Sequence, residues 1–186
     1  MLRKLYPREY YTSTYIIDFD KYRRMGYKAV LFDIDNTLVE HDAPANDAAK
    51  KLMYKLMQLG FSVGYISNND EERVESFRQA VLDSMPVEEG KENPYEDRII
   101  YIHKAGKPLP KGYRAAMERL NTYEKNTMFV GDQLFTDIWG ANNAKIRSVL
   151  VQPIAKHEEI QIVLKRIPEK LILFLYRRKH KLRDRG

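Results

Sequence analysis

Short apolar runs alternate along the chain with segments whose apolar residues recur at helical spacing. Five runs stand out: Ala29–Asp33 (AVLFD), Ser62–Ser67 (SVGYIS), Arg98–His103 (RIIYIH), Thr127–Gly131 (TMFVG) and Arg147–Val151 (RSVLV). Near-continuous apolar runs are the pattern of strands buried on both faces, as in parallel sheets. The spacing between them predicts a helix over about Asn46–Leu59, with Leu52, Leu56 and Leu59 on one face and Gly60 just past its end. A second spans about Asp70–Leu82, with Val74, Phe77 and Val81 inward and Asn69 or Asp70 as its cap. A third runs from near Pro110 to Leu120 and a fourth from Asp132 toward Ala144, while a last one begins near His157. Met85–Asp97, with Pro86, Gly90 and Pro94, reads as a polar loop. Alternating strands and helices predict an α/β fold with a parallel sheet covered by helices.

Composition narrows the class without naming a function. The chain has 186 residues, 44% hydrophobic and 31% charged, as expected of one soluble domain. Its core is expected over about 28–153, between a Tyr-rich basic leader (1–27) and a C-terminal segment (154–186). Cysteine is absent, which excludes disulfides and thiolate metal sites and fits the cytosol. No window reaches the roughly 18 consecutive apolar residues of a membrane span, and the N-terminus lacks a signal-peptide apolar stretch. A cytoplasmic location is expected, with peripheral contact at a membrane left open.

Charge is uneven. The net +6 divides into +5 over Arg177–Arg185, +4 over residues 1–28 and about −3 over the body. Two basic ends suit an anionic surface, either membrane or nucleic acid, or are simply solvated. Residues 1–27 hold six of the 13 tyrosines, and Leu171–Tyr176 is apolar all round ahead of the basic tail. Apolar residues followed by Arg and Lys resemble an interfacial anchor. Packing of both ends on the domain or on a second subunit is the alternative, so oligomeric state stays open.

In open sheets of this kind, ligands sit at the carboxyl ends of the strands. There the first strand runs into Asp33-Ile34-Asp35-Asn36-Thr37 and the second into Ser67-Asn68. The third leads to Lys107-Pro108, and the fourth to Gly131-Asp132 followed by Asp137. Alternation along an extended segment puts Asp33 and Asp35 on one side. Two such acids repel unless a cation is shared or one holds a proton. Asp132 adds a carboxylate for a hard divalent ion such as Mg²⁺. Ser67 can donate to a phosphoryl oxygen, and the helix starting after it offers free amides to the same anion. Lys107 offers a positive charge to a phosphate, in competition with nearby Lys104 and Lys111. Capping and turn duty is the alternative for the acids, Ser67 and Asn68. His41 and His103 read as loop and edge residues, and Trp139 as packing.

The set Asp33-x-Asp35-x-Thr37, Ser67, Lys107 and Gly131-Asp132-(x4)-Asp137 resembles the four ordered motifs of the haloacid dehalogenase (HAD) superfamily. Phe32–Leu38, Ser67-Asn68-Asn69, Lys107-Pro108 and Gly131–Asp137 are more closely similar to the YqeG-like group of subfamily IIIA. That resemblance implies a Rossmann-like three-layer core, and the short gaps between motifs leave no room for a large cap domain. It implies a phosphatase in which Asp33 is the nucleophile, forming an aspartyl-phosphate, and Asp35 the acid/base. Mg²⁺ would be held by Asp33, Asp132 and the Asp35 backbone carbonyl, with Asp137 behind them. Phosphate contacts would come from Ser67, Asn68 and Lys107, together with Thr37, which would also steady the loop carrying Asp35. Mitochondrial relatives of the group dephosphorylate phosphatidylglycerophosphate, so a lipid phosphate is the expected substrate. A phosphorylated macromolecule or nucleic-acid end is the alternative. From another class, a phospho-accepting regulatory module also uses acids and a lysine on a parallel sheet.

Overall fold

The computed structural model describes residues 2–155. The helix expected near His157 and the apolar segment Leu171–Tyr176 lie outside the described residues. Six strands form one sheet: β1 (Glu9–Tyr11), β2 (Ala29–Phe32), β3 (Ser62–Ile66), β4 (Ile99–Ile102), β5 (Thr127–Gly131) and β6 (Arg147–Val151). All pairs are parallel, in the order β1-β6-β5-β2-β3-β4. From β2 the chain moves outward through β3 to β4, then returns to fill the other side with β5 and β6. The switch therefore falls between β2 and β5, with Phe32 opposite Val130.

The alternation along β2 divides the core into two layers. Val30 and Phe32 enter a cluster with Phe19 and Tyr22 of α1 (Phe19–Arg24), Leu52 and Leu56 of α2 (Asp47–Gln58), and Val74 and Phe77 of α3 (Glu71–Leu82). Ala29 and Leu31 enter a second cluster with Tyr113 and Ala116 of α4 (Lys111–Arg119) and Ala141 of α5 (Trp139–Asn143). Fully burying a side chain such as Leu31 or Phe32 stabilises by about 1.5–3 kcal/mol, so each helical layer is held by many such terms. Helix α2 starts where Asn46 Oδ1 accepts from Ala49 N (2.9 Å) and ends ahead of Gly60, whose φ of +82° a glycine adopts freely.

The leader follows the alternative of packing on the domain. Glu9–Tyr11 adds a strand to the edge of β6, pairing Glu9 with Val149 and Tyr11 with Val151. Glu9 accepts from the Tyr11 hydroxyl (3.0 Å), the Tyr22 hydroxyl and the Arg147 guanidinium, and Arg147 Nε donates to Tyr27 Oη at 2.6 Å. Tyr11, Tyr22 and Tyr27 are buried, so this end packs on the domain.

A difference follows β5. In place of one helix from Asp132 to Ala144, Leu134–Ile138 form a wide π-helical turn that leads into α5. Among the described residues no cap domain interrupts the core, and no helix is long and apolar enough to cross a membrane.

Candidate active site

The ends of β2 and β5, adjacent at the switch point, carry the acids. Asp33 follows Phe32, and its amide still donates to Val130 O (3.0 Å), which fixes its backbone to the neighbouring strand. Asp132 follows Gly131 directly. The π-helical turn brings Asp137 back over Gly131, where its Oδ2 accepts from Gln133 N at 3.0 Å. Glycine is required at 131: a Cβ there would stand 2.6 Å from Asp137 Cγ. The Tyr113 hydroxyl donates to Asp137 O (3.2 Å) and Thr136 O (3.3 Å), carbonyls that a regular helix would keep for itself. The wide turn thus goes with the placement of Asp137.

Lys107 joins these acids. Its Nζ lies 2.8 Å from Asp33 Oδ1 and 2.7 Å from Asp137 Oδ1, with its side chain 3% exposed. Of the three candidate lysines, Lys107 is the buried one, while Lys104 and Lys111 are exposed. Asn68 sets its backbone: Lys107 N donates to Asn68 Oδ1 (2.8 Å), and Asn68 Nδ2 donates to Lys107 O (3.3 Å).

Asp33, Asp132 and Asp137 offer carboxylate oxygens that all lie within 4.8 Å of one another, and all three residues are buried. Three buried carboxylates against one ammonium leave an excess of negative charge. Burial pushes the Asp33 carboxyl up to about 7, with the Lys107 ammonium opposing and the Asp137 and Asp35 charges adding to the rise. Burial pulls the Lys107 ammonium down, but Asp137 and Asp33 more than offset it and hold the group above its ordinary value. An all-oxygen set with surplus negative charge fits a hard divalent cation such as Mg²⁺.

Asp35 lines the same cleft as Asp33 but keeps other company. The strand ends at Phe32, and Asn36 takes a left-handed turn (φ 59°), so strand alternation is not what brings the two acids together. Asp35 Oδ1 accepts from Arg73 Nη2 (2.8 Å) and the Asp42 amide (3.0 Å), and Oδ2 accepts from Asn69 Nδ2 (2.6 Å). Its carboxylate stands apart from the Asp33–Asp132–Asp137 group.

Two expectations need correction. Thr37 does not line the cleft: it is 1% exposed and donates to Asp132 Oδ1 at 3.3 Å, while its carbonyl accepts from Thr14 Oγ1 at 2.8 Å. Its hydroxyl supports an acid of the site. The helix after Ser67 starts within a residue of the expected Asp70, but its first-turn amides are not all free for an anion. Helix α3 begins at Glu71, and its first-turn amide at Arg73 is taken by the cap residue Asp70 (3.0 Å). Ser67 itself lines the cleft, where its Oγ accepts from Asn69 N (3.1 Å) and keeps its own proton to donate.

The cleft is small, about 110 Å³, and its walls include Asp33, Asp35, Ser67, Asn68 and Lys107. Asn36, His41, Asn69, Gln133 and Thr136 complete the lining, a role the sequence assigned to none of them. His41 is a loop residue that folding brings to the rim. The packing role expected of Trp139 is where the structure places it, beside Leu134 and Ile138.

A family model for haloacid dehalogenase-like hydrolases matches residues 39–145, more than half of the chain. The chain is 29% identical over 181 residues to the probable phosphatase YqeG of Bacillus subtilis (strain 168), covering 96% of both. It is 28% identical over 103 residues to a glyceraldehyde 3-phosphate phosphatase of Pyrococcus abyssi, covering 54% of this chain and 40% of that protein. Among solved structures, NagD from E. coli K-12 is 18% identical with a TM-score of 0.49, over 75% of this chain and 92% of that one. The chain belongs to the haloacid dehalogenase-like hydrolases, and it stands among the phosphatases of that family.

Proposed function

We propose that the chain hydrolyses a phosphate monoester through an aspartyl-phosphate on Asp33, with Mg²⁺ as cofactor, and that its ester is the terminal phosphate of phosphatidylglycerophosphate. The observation that carries the reaction is the buried Asp33–Lys107–Asp137 chain beside Asp132, opening into a cleft that Ser67 and Asp35 also line. Asp33, Asp132 and the backbone carbonyl of Asp35 would hold the cation, with Asp137 anchoring Lys107 behind them. Bound there, Mg²⁺ supplies positive charge to the carboxylates and to the phosphoryl oxygens.

The residues divide the reaction between them. One Asp33 carboxylate oxygen attacks phosphorus in line, and the bond from phosphorus to the leaving oxygen breaks. Asp35 gives its proton to that oxygen. Water then attacks the same phosphorus, Asp35 takes the proton back, and the bond to Asp33 breaks to release phosphate. Ser67 Oγ donates to a phosphoryl oxygen throughout. Lys107 offsets charge on the phosphoryl group.

Substrate size follows from the cleft. Pockets that enclose whole small ligands run to roughly 300–1,000 Å³, whereas this cleft of about 110 Å³ suits a phosphoryl group and little more. No cap domain covers it among the described residues, so the rest of the substrate stays outside. A phosphate displayed on a surface meets that requirement, and the basic tail from Arg177 to Arg185 complements an anionic bilayer. The archaeal relative's substrate carries its phosphate on a terminal carbon of a three-carbon chain, as the phosphoglycerol headgroup does. The test compares phosphatidylglycerophosphate in mixed micelles with sugar phosphates, nucleotides and 5′- or 3′-phosphorylated oligonucleotides. Higher kcat/KM on the lipid supports the reading. Higher kcat/KM on an oligonucleotide transfers it to nucleic-acid ends.

A further inference from the structure

The acid/base carboxylate is held by two residues that the mechanism above leaves idle. Arg73 stands in the first turn of α3, and Asn69 in the turn ahead of it. Arg73 Nη2 donates to Asp35 Oδ1 and to Ala43 O, both at 2.8 Å, and its guanidinium lies 5.7 Å from the centre of the Phe77 ring. The side chains of Arg73 and Asp35 are 15% and 13% exposed, so the pair is fixed rather than waving in solvent.

The two oxygens of Asp35 are not equivalent. A carboxylate oxygen has two lone-pair positions. Those of Oδ1 are both taken, by Arg73 and by the Asp42 amide at 3.0 Å. Oδ2 accepts one bond, from Asn69 Nδ2 at 2.6 Å, and keeps the other position. Asn69 lines the cleft, whereas Arg73 does not.

The geometry points to Arg73 and Asn69 as positioning residues that lock the carboxyl plane of Asp35 so that Oδ2 hands the proton to the leaving oxygen. This rests on Asp35 being the general acid. The alternative is that Arg73 only ties the segment around Ala43 to α3, which would affect every substrate alike.

Leaving groups separate the two. An aryl phosphate such as p-nitrophenyl phosphate expels a stabilised anion and needs little protonation, whereas an alkyl phosphate such as glycerol 3-phosphate must have its leaving oxygen protonated. The quantity to compare is kcat/KM, which covers the steps through cleavage of that bond and leaves aside hydrolysis of the phosphoenzyme. Measured on the full chain with Mg²⁺, Arg73→Gln and Asn69→Ala are each expected to lose about tenfold or more on the alkyl ester. That is a share of the ~10²–10⁴ available from general acid catalysis. On the aryl ester each is expected to lose several-fold less than on the alkyl ester, and Arg73→Lys recovers part of the alkyl loss. Equal losses on both esters, or none on either, overturn the inference. Asn69→Ala removes only the Oδ2 bond and decides the matter alone if Arg73→Gln does not fold. Asp35→Asn is the reference. If it shows no alkyl-selective loss, the reading of Asp35 as acid fails. If it does and the two variants do not, only the positioning role falls.

Discussion

A carboxyl group buried beside two others holds its proton more tightly than one in water, and Asp33, raised to about 7, is in that position. The sign of the consequence is fixed. A cation binds the ionised form, so below about 7 it must first displace a proton, and above that it need not. Mg²⁺ affinity of the resting protein, measured by titration calorimetry, is expected to rise by about tenfold in all from pH 6 to pH 8 for one proton, most of it below pH 7. Asp33→Asn should flatten that dependence and abolish turnover. Gly131 gives a steric prediction. In Gly131→Ala the new methyl meets Asp137 Cγ at 2.6 Å, so Asp137 must leave Lys107 or the strand must shift. The cost is about 1–3 kcal/mol, read as a lower Tm, together with a loss of kcat/KM larger than the fraction unfolded explains. Asp33, Asp35, Ser67, Lys107, Asp132 and Asp137 were legible because each is a polar residue at or shortly beyond the end of an apolar run. Arg73 and Asn69 were not. Their meaning lies in the approach of α3 to Asp35, and in sequence they look like an exposed helix residue and a cap.

The elements were legible where their pattern was long. Strands β5 and β6 begin and end where their apolar runs do, and α2 and α3 match theirs to within a residue at each end. Strand β1 was not, because three residues, Glu-Tyr-Tyr, are too short to show a period and are held by pairing with β6. The π-helical turn was hidden too, since Leu134–Ile138 carries an ordinary helical pattern and only the Tyr113 hydroxyl and the Asp137 contacts reveal its widening. The leader strand gives its own prediction. Burial pushes the Glu9 carboxyl up, but the Tyr22 and Tyr11 hydroxyls and the Arg147 guanidinium outweigh it and hold it below its ordinary value. A lowered carboxyl stabilises the fold above its unfolded value of 4.5, and that contribution is lost as pH falls below it. Glu9→Gln should therefore destabilise by about 1–3 kcal/mol at neutral pH and weaken the acid limb of the stability curve, as read by urea unfolding. Activity per folded molecule should not change, because Glu9 lies on an edge strand outside the cleft lining.

At the scale of the molecule, a doubly wound sheet places the candidate catalytic groups at one switch point, and among the described residues no cap domain covers the cleft. The N-terminal leader, with three tyrosines buried, is part of that body. On the proposed reading, the basic tail would address an anionic surface. Removing residues 177–186 takes away +5 of charge, so binding to anionic vesicles at low salt should weaken sharply while kcat/KM on a soluble aryl phosphate stays within about twofold. Equal vesicle binding by the shortened chain would place lipid recognition in the body. Beneath all of this is the claim that phosphorus passes through Asp33, and trapping the intermediate tests it most directly. With Asp35 as the base, Asp35→Asn should slow hydrolysis of the phosphoenzyme. After mixing with ³²P-labelled aryl phosphate and Mg²⁺ and quenching in acid, label should therefore sit on the peptide containing Asp33, be released by hydroxylamine, and be absent from the Asp33→Asn double variant. Label on any other residue, or continued turnover in Asp33→Asn, would contradict the account.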